Sequence, residues 1–174
     1  MNDQVEIRIA HLYAHYLNIY GDRGNIITLV RRCTWRGMKT VVKSPGPGDS
    51  YDPDYFDIYF IGGGQDKQQQ IVAEDLLRQR QCLLKTVEGG AVILSICGGY
   101  QLLGHFYRPH SGDELKGISL IDAHTIAGNR RMIGNVVVQR PNQTTLTGFA
   151  KHSRRAILGS DTAPLGKTLD GDGN

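Results

Sequence analysis

The sequence predicts an α/β fold: a three-layer, doubly wound and mainly parallel sheet with an antiparallel extension. Three observations lead there. Short β-branched runs alternate with amphipathic segments through the first half of the chain, as βαβ units require. One run, "AVILSI" (91–96), is apolar throughout, the pattern of a parallel strand covered on both faces. Two runs end in glycine-rich turns, "GGGQD" (62–66) and "CGGYQ" (97–101), at the edge where open α/β sheets bind ligands.

The elements follow in order. "VEIRIAHLY" (5–13) reads as the first strand. "GNIITLVRRCTWRG" (24–37) carries Ile26, Leu29, Val30 and Cys33 at helical spacing, with Gly37 as its stop. "KTVVK" (39–43) is a short strand, followed by the turn-rich "SPGPGDSYDPDY" (44–55). "FDIYFIGGG" (56–64) is a strand running into glycines. "AEDLLRQRQCLLKTV" (73–87) predicts one amphipathic helix with Leu76, Leu77, Leu83, Leu84 and Val87 on a face, closed by "EGG". The strand 91–96 and a helix beyond Gly98 and Gly99 complete the parallel part, with right-handed crossovers. After Gly112 the pattern changes: "GISLIDAHTIA" (117–127) and "MIGNVVVQRP" (132–141) read as two strands joined by a polar turn, extending the sheet antiparallel. With no repeat, low-complexity block or linker, one domain over residues 1–174 is expected.

Composition narrows the function. At 174 residues, 40% apolar and 21% charged, the chain has the balance of a globular domain with a sizeable core. No apolar run reaches membrane-spanning length, and "MNDQVEIRIA" has no signal-peptide core. Cys33, Cys82 and Cys97 are an odd, unpatterned set, which argues for a reducing compartment, the cytoplasm, rather than a disulfide scaffold. The net charge of +3 is spread over scattered arginines, without the dense basic stripe of a nucleic-acid binder.

The chemistry centres on Cys97, which stands at a sharp strand-to-helix turn. Glycines there permit a strained backbone and close substrate approach, and a helix N-terminus favours the thiolate. A buried structural cysteine is the alternative. "GGGQD" lacks the Lys-Ser/Thr of a phosphate loop and the spacing of a dinucleotide fingerprint. Its N–H groups suit instead an oxyanion forming beside Cys97, or the glycines serve only a tight turn.

Five segments, in order, carry a family resemblance: "LNIYGDRGN" (17–25), "IGGGQD" (61–66), "ICGGYQLLG" (96–104), "RMIGN" (131–135) and "PLGKTLDGDGN" (164–174). Over nearly its whole length the sequence resembles the class I (triad) glutamine amidotransferases of the cobyric acid synthase (CobB/CobQ) type. "YGDRGN" and "RMIGN" are similar to the branch whose glutaminase subunit serves lipid II amidation, rather than to the amidases of corrin rings. The resemblance implies a flavodoxin-like fold and attack of the Cys97 thiolate on the side-chain amide carbon of L-glutamine. Ammonia then leaves and water hydrolyses the thioester. It implies oxyanion donors at Gly63, Gly64 and Gly98 and a glutamine-binding arginine at Arg131, whose fork matches the α-carboxylate. Gln101 either lines the pocket or packs.

The resemblance further implies a heterodimer with a Mur-ligase-like (MurT-type) ATP-dependent subunit. ATP and Mg are expected there, with no cofactor or metal in this chain. Ammonia would pass to the D-glutamate of the lipid II stem peptide. The family's general-base histidine comes from a "T-Y-L-H-G" type segment after "G-N-G-N", expected beyond Asn174, so the domain reads as cut short at its C-terminal end. His152, in "GFAKHSRR" where the family more usually reads G-F-E-N-H-x-G-R, is expected to be structural or superficial. Two readings stand beside catalysis: a degenerate, non-catalytic binding subunit, and a flavodoxin-like chaperone or deglycase. The second needs a histidine directly after the cysteine or an acidic residue on an early strand, and Gly98 directly after Cys97 counts against it.

Overall fold

The computed structural model describes residues 4–19 and 21–172, which fall into two compact units, Met1–Leu103 and Gly104–Asn174. The first holds β1 (Glu6–Leu12), α1 (Asp22–Thr34), β2 (Lys39–Lys43), β3 (Ile58–Ile61), α2 (Asp66–Arg78), α3 (Arg80–Glu88), β4 (Val92–Ser95) and α4 (Gly98–Leu103). Its sheet is wholly parallel, in the order β2-β1-β3-β4. The chain starts at β1, steps outward to β2, then returns to the other side of β1 for β3 and β4. α1 packs on the face of Ile9 and Phe60, and because the chain crosses in opposite directions along the sheet, the right-handed rule for parallel crossovers sends α2–α3 to the other face. The order reverses between β1 and β3.

The apolar periodicity explains the packing. Ile26 of α1 is buried with Ile9 and Phe60, and Leu29, Val30 and Ile96 pack against them. Each fully buried side chain of this kind contributes about 1.5–3 kcal/mol. On the second helical layer Val72, Leu76 and Leu83 are buried, while Val87, expected on the same face, is exposed.

Two expectations for this unit are corrected. The helix predicted over 73–87 begins at Asp66 and is two helices, parted at Gln79 with φ −81° and ψ 0°. The break falls where the helix is tethered to the loop beside it: the Asp75 carboxylate accepts from Gly48 N–H and the Tyr13 hydroxyl, both at 2.9 Å, and Gln79 Nε2 donates to the Asp49 carbonyl. The strand predicted to be covered on both faces is instead the edge of its sheet, with Val92 59% and Leu94 39% exposed. An apolar run reveals the face a strand can bury, not its rank in the sheet.

Asp75 is a polar hub, its side chain 2% exposed. Burial opposes its ionisation, but Arg78 at 2.7 Å, Gly48 N–H and Tyr13 together hold its carboxyl below the usual range. Burial, reinforced by the bond to Asp75, pushes the Tyr13 hydroxyl strongly up. Asp75→Ala would orphan the buried Tyr13 hydroxyl and release the 48–49 loop. The expected loss, read from urea unfolding, is about 3 kcal/mol.

The second unit is a five-stranded sheet. It contains β5 (Phe106–Arg108), β6 (Leu115–Lys116), β7 (Ala123–Gln139), β8 (Thr145–Leu158) and β9 (Lys167–Asp170), in the order β6-β5-β7-β8 with β9 also on β7. All pairings are antiparallel except β5 with β7. The antiparallel part is therefore present, but the two strands predicted over 117–127 and 132–141 are one. The polar stretch between them is an irregularity inside β7, between Ala127 and Met132, because β8 pairs with both halves. Residues 117–122 lie outside any strand. His152 Nδ1–H donates to the Arg154 carbonyl at 2.9 Å, a local structural bond.

Candidate active site

In the first unit β1, β3 and β4 end in register, Leu12 beside Ile61 and Ile61 beside Ser95, so the loops that follow leave the same edge. Their contacts bring three sequence motifs together. Ile19 N–H donates to the Gly63 carbonyl at 3.3 Å, and Gly99 N–H donates to the Gly62 carbonyl at 3.0 Å. The Leu17 carbonyl and the Asp22 side chain crowd Gly62, leaving no room for a Cβ; the Leu17 side chain does the same at Gly64. Tyr20, within the first motif, lies outside the described residues.

Cys97 occupies the elbow between β4 and α4 with φ +50°, a left-handed backbone that costs a non-glycine residue about 1–2 kcal/mol. Its carbonyl accepts Gln101 N–H at 3.1 Å, so it caps α4. It is partly exposed and, like Cys33 and Cys82, not in a disulfide. A strained residue held on both sides, with a reachable thiol, is the arrangement expected of a nucleophile at an elbow.

In the glycine turn the acceptors are engaged and, among the described residues, the donors are not. All three of its carbonyls are taken: Gly62 by Gly99 N–H, Gly63 by Ile19 N–H and Gly64 by Gln69 Nε2 at 2.9 Å. Among the described residues, the N–H groups of Gly63, Gly64 and Gly98 donate to nothing, although these glycines are buried. Buried N–H groups are rarely left unused, and a set beside a cysteine suits an anion that forms only during reaction.

Gln69, fully buried on α2, was not singled out from sequence. Besides holding Gly64, its amide packs on Gly98, where a Cβ would come within 2.9 Å of it. It therefore sets the spacing between turn and elbow. In the sequence it sits in the polar tract "KQQQ". His11, near the end of β1, was also missed. It is buried, edge-on to Phe60 at 5.3 Å, and burial lowers its pKa, opposed by Asp22 and aided by His15. Gln101 is buried, and its Oε1 has no hydrogen-bond partner among the described residues.

Arg131 belongs to the second unit, exposed on β7 beside the irregularity. The last two motifs meet there. Arg130 pairs with Asp172 at 2.8 Å, and Gly171, with φ +82°, fits against the Asn135 carbonyl where no side chain could. Gly173 and Asn174, the end of the last motif, lie outside the described residues.

Known proteins resemble this chain in sequence or in fold. Residues 8–174 match the model of the CobB/CobQ-like glutamine amidotransferase domain. The GatD subunit of lipid II isoglutaminyl synthase (glutamine-hydrolyzing) from Streptococcus pneumoniae is 36% identical over 99% of this chain. Its Staphylococcus aureus counterpart is 36% identical over 97%. The chain spans 67% and 69% of those two relatives' lengths. Cobyric acid synthase of Clostridium botulinum is 33% identical over 58% of the chain, which covers 23% of that enzyme. A crystal structure titled as a glutamine amidotransferase aligns over 87% of this chain and 75% of its own, with TM-score 0.53 and 14% identity, a likeness of fold.

Proposed function

The chain belongs to the CobB/CobQ-like glutamine amidotransferase family, and from that premise we propose that it is the glutaminase subunit of a lipid II isoglutaminyl synthase. The observation that carries the chemistry is a strained cysteine beside three buried, undonated glycine N–H groups. Cys97 Sγ attacks the side-chain amide carbon of L-glutamine. The carbonyl oxygen becomes an oxyanion held by the N–H groups of Gly98, Gly63 and Gly64, where one donor is worth about 2.7–4 kcal/mol. Ammonia departs with a proton from a general acid, and water cleaves the thioester to glutamate. The family's mechanism gives this acid–base role to a histidine. Arg131 binds the substrate α-carboxylate, and Gln101 lines the pocket with its unpaired Oε1.

The two relatives named as GatD support the placement in cell-wall synthesis. In this reading the partner is a Mur-ligase-like, MurT-type subunit that holds ATP and Mg, activates the D-glutamate carboxylate of the lipid II stem peptide and receives the ammonia. The chain itself needs no cofactor and works in the cytoplasm as one amidotransferase domain. Among the described residues no helix is long and apolar enough to cross a membrane.

The test is glutamine-dependent ammonia release by the protein together with its ligase partner. Arg131→Ala is expected to lower kcat/KM for glutamine by one to two orders of magnitude, since a charged hydrogen bond is worth about 1.5–3 kcal/mol. An unchanged kcat/KM would assign Arg131 to the surface. ATP turnover by this chain alone would contradict the division of labour.

A further inference from the structure

The second unit holds a group of side chains that glutamine hydrolysis does not use. His105 Nε2 lies 2.8 Å from Asp122 Oδ1, and its Nδ1 lies 3.0 Å from Ser119 Oγ. A carboxylate only accepts, so Asp122 keeps the ring proton on Nε2. Nδ1 then offers its lone pair to the Ser119 hydroxyl, the tautomer that a general base requires. The two ring nitrogens exchange the positions they hold in serine proteases, and either one can accept a proton.

The arrangement is held on every side. The Asp122 N–H donates to Thr162 Oγ1 at 3.1 Å, Oδ2 accepts Asp161 N–H at 3.0 Å, and its carbonyl accepts Gly159 N–H at 2.8 Å. Residue 159 is a glycine where a Cβ would collide with the Asp122 carboxylate. His105 is fixed through its backbone, donating to Ala123 at 2.7 Å and accepting from Gly117 at 2.9 Å. The bond from His105, then that from Asp161, holds the Asp122 carboxyl below its usual range.

Ser119 carries the backbone signature of a displayed nucleophile. Its φ is +53°, a left-handed conformation in a residue with a side chain, and it is exposed. Its N–H is anchored to the Gly104 carbonyl at 2.9 Å. The next two N–H groups, of Leu120 and Ile121, donate to nothing among the described residues. The residue after a nucleophilic serine is where an oxyanion donor stands in elbow hydrolases. These groups border an open recess of about 660 Å³. Its lining combines Leu120, Ile121 and Ala163 with the carboxylates of Asp122 and Asp161 and includes no lysine or arginine. Such walls accept a neutral aliphatic acyl group and repel an anionic one.

We propose that Ser119, His105 and Asp122 form a second acyl-transfer site, separate from Cys97, that takes esters of short, neutral carboxylic acids. Ser119 Oγ adds to the ester carbonyl as its proton passes to His105 Nδ1. The ester C–O bond then breaks, and the alkoxide leaves with that proton as the alcohol. Water, deprotonated by Nδ1, cleaves the acyl-serine; the acid departs and the proton returns to Oγ. Asp122 positions the histidine without titrating.

The site is independent of the glutaminase reading, so its test begins from the Cys97→Ala chain, which has no elbow thiol. Treatment with an alkyl fluorophosphonate followed by peptide mass spectrometry is expected to place the adduct on Ser119. The same chain is expected to hydrolyse p-nitrophenyl butyrate. Ser119→Gly, which relieves the left-handed strain and so keeps the fold, is expected to abolish both. His105→Gln is expected to slow both by about 10²-fold or more. Absence of an adduct on Ser119, or ester turnover unchanged in Ser119→Gly, would overturn the proposal and leave the three residues a structural latch.

Discussion

Cys97→Ala is expected to remove glutamine-dependent ammonia release while the protein stays folded. The thiolate is the covalent nucleophile in the proposed mechanism, and no neighbouring group replaces it. Removing such a nucleophile costs about 10⁶-fold in kcat where it has been measured in other hydrolases. The backbone offers a sharper control. At φ +50° any side chain is strained, so Cys97→Gly is expected to be as inactive as the alanine variant and more stable by about 1 kcal/mol. Ammonia release and denaturant midpoints on both variants separate the chemistry from the strain. Turnover in either one would end the thioester mechanism.

Gly99→Ala is expected to damage fold and site together through the backbone it packs against. A Cβ there would lie 2.6 Å from the Ile61 carbonyl oxygen and 2.9 Å from that of Gly62. Both are backbone atoms of the neighbouring strand and its turn, and they yield only if the turn moves. That movement breaks the 3.0 Å bond from Gly99 N–H to the Gly62 carbonyl and shifts the N–H groups of Gly63 and Gly64 away from Cys97. The expected cost is about 1–3 kcal/mol or more in stability, with a fall in kcat that exceeds any change in KM. Gly24→Ala in α1 is the opposite control. Its Cβ meets nothing within 4 Å, so the substitution should stabilise by about 0.5–1 kcal/mol. If Gly99→Ala behaves like Gly24→Ala, the turn and elbow are not coupled as described.

The Cys97 elbow was legible because its requirements are local. An apolar strand, a residue forced into a left-handed backbone and two glycines must be consecutive, and all of them are written in "SICGGYQ". The same holds for α1, whose Ile26, Leu29 and Val30 repeat at the helical period and pack as that period predicts. Local backbone preference and hydrophobic periodicity thus determined the parallel βα order and the place of the Cys97 elbow. Partnership was decided only in three dimensions. β4 reads as a covered strand, yet sits at an edge because rank in a sheet depends on strands distant in sequence. β7 reads as two strands, yet is one because β8 pairs with both halves. Gln69 stands in a polar tract, yet is buried because α2 turns it onto Gly64 and Gly98. His105, Ser119 and Asp122 carry no motif in the sequence until the loops return them to hydrogen-bonding distance. A residue's own backbone conformation is set by its immediate neighbours, whereas burial and hydrogen bonding are set by whatever the rest of the chain brings against it.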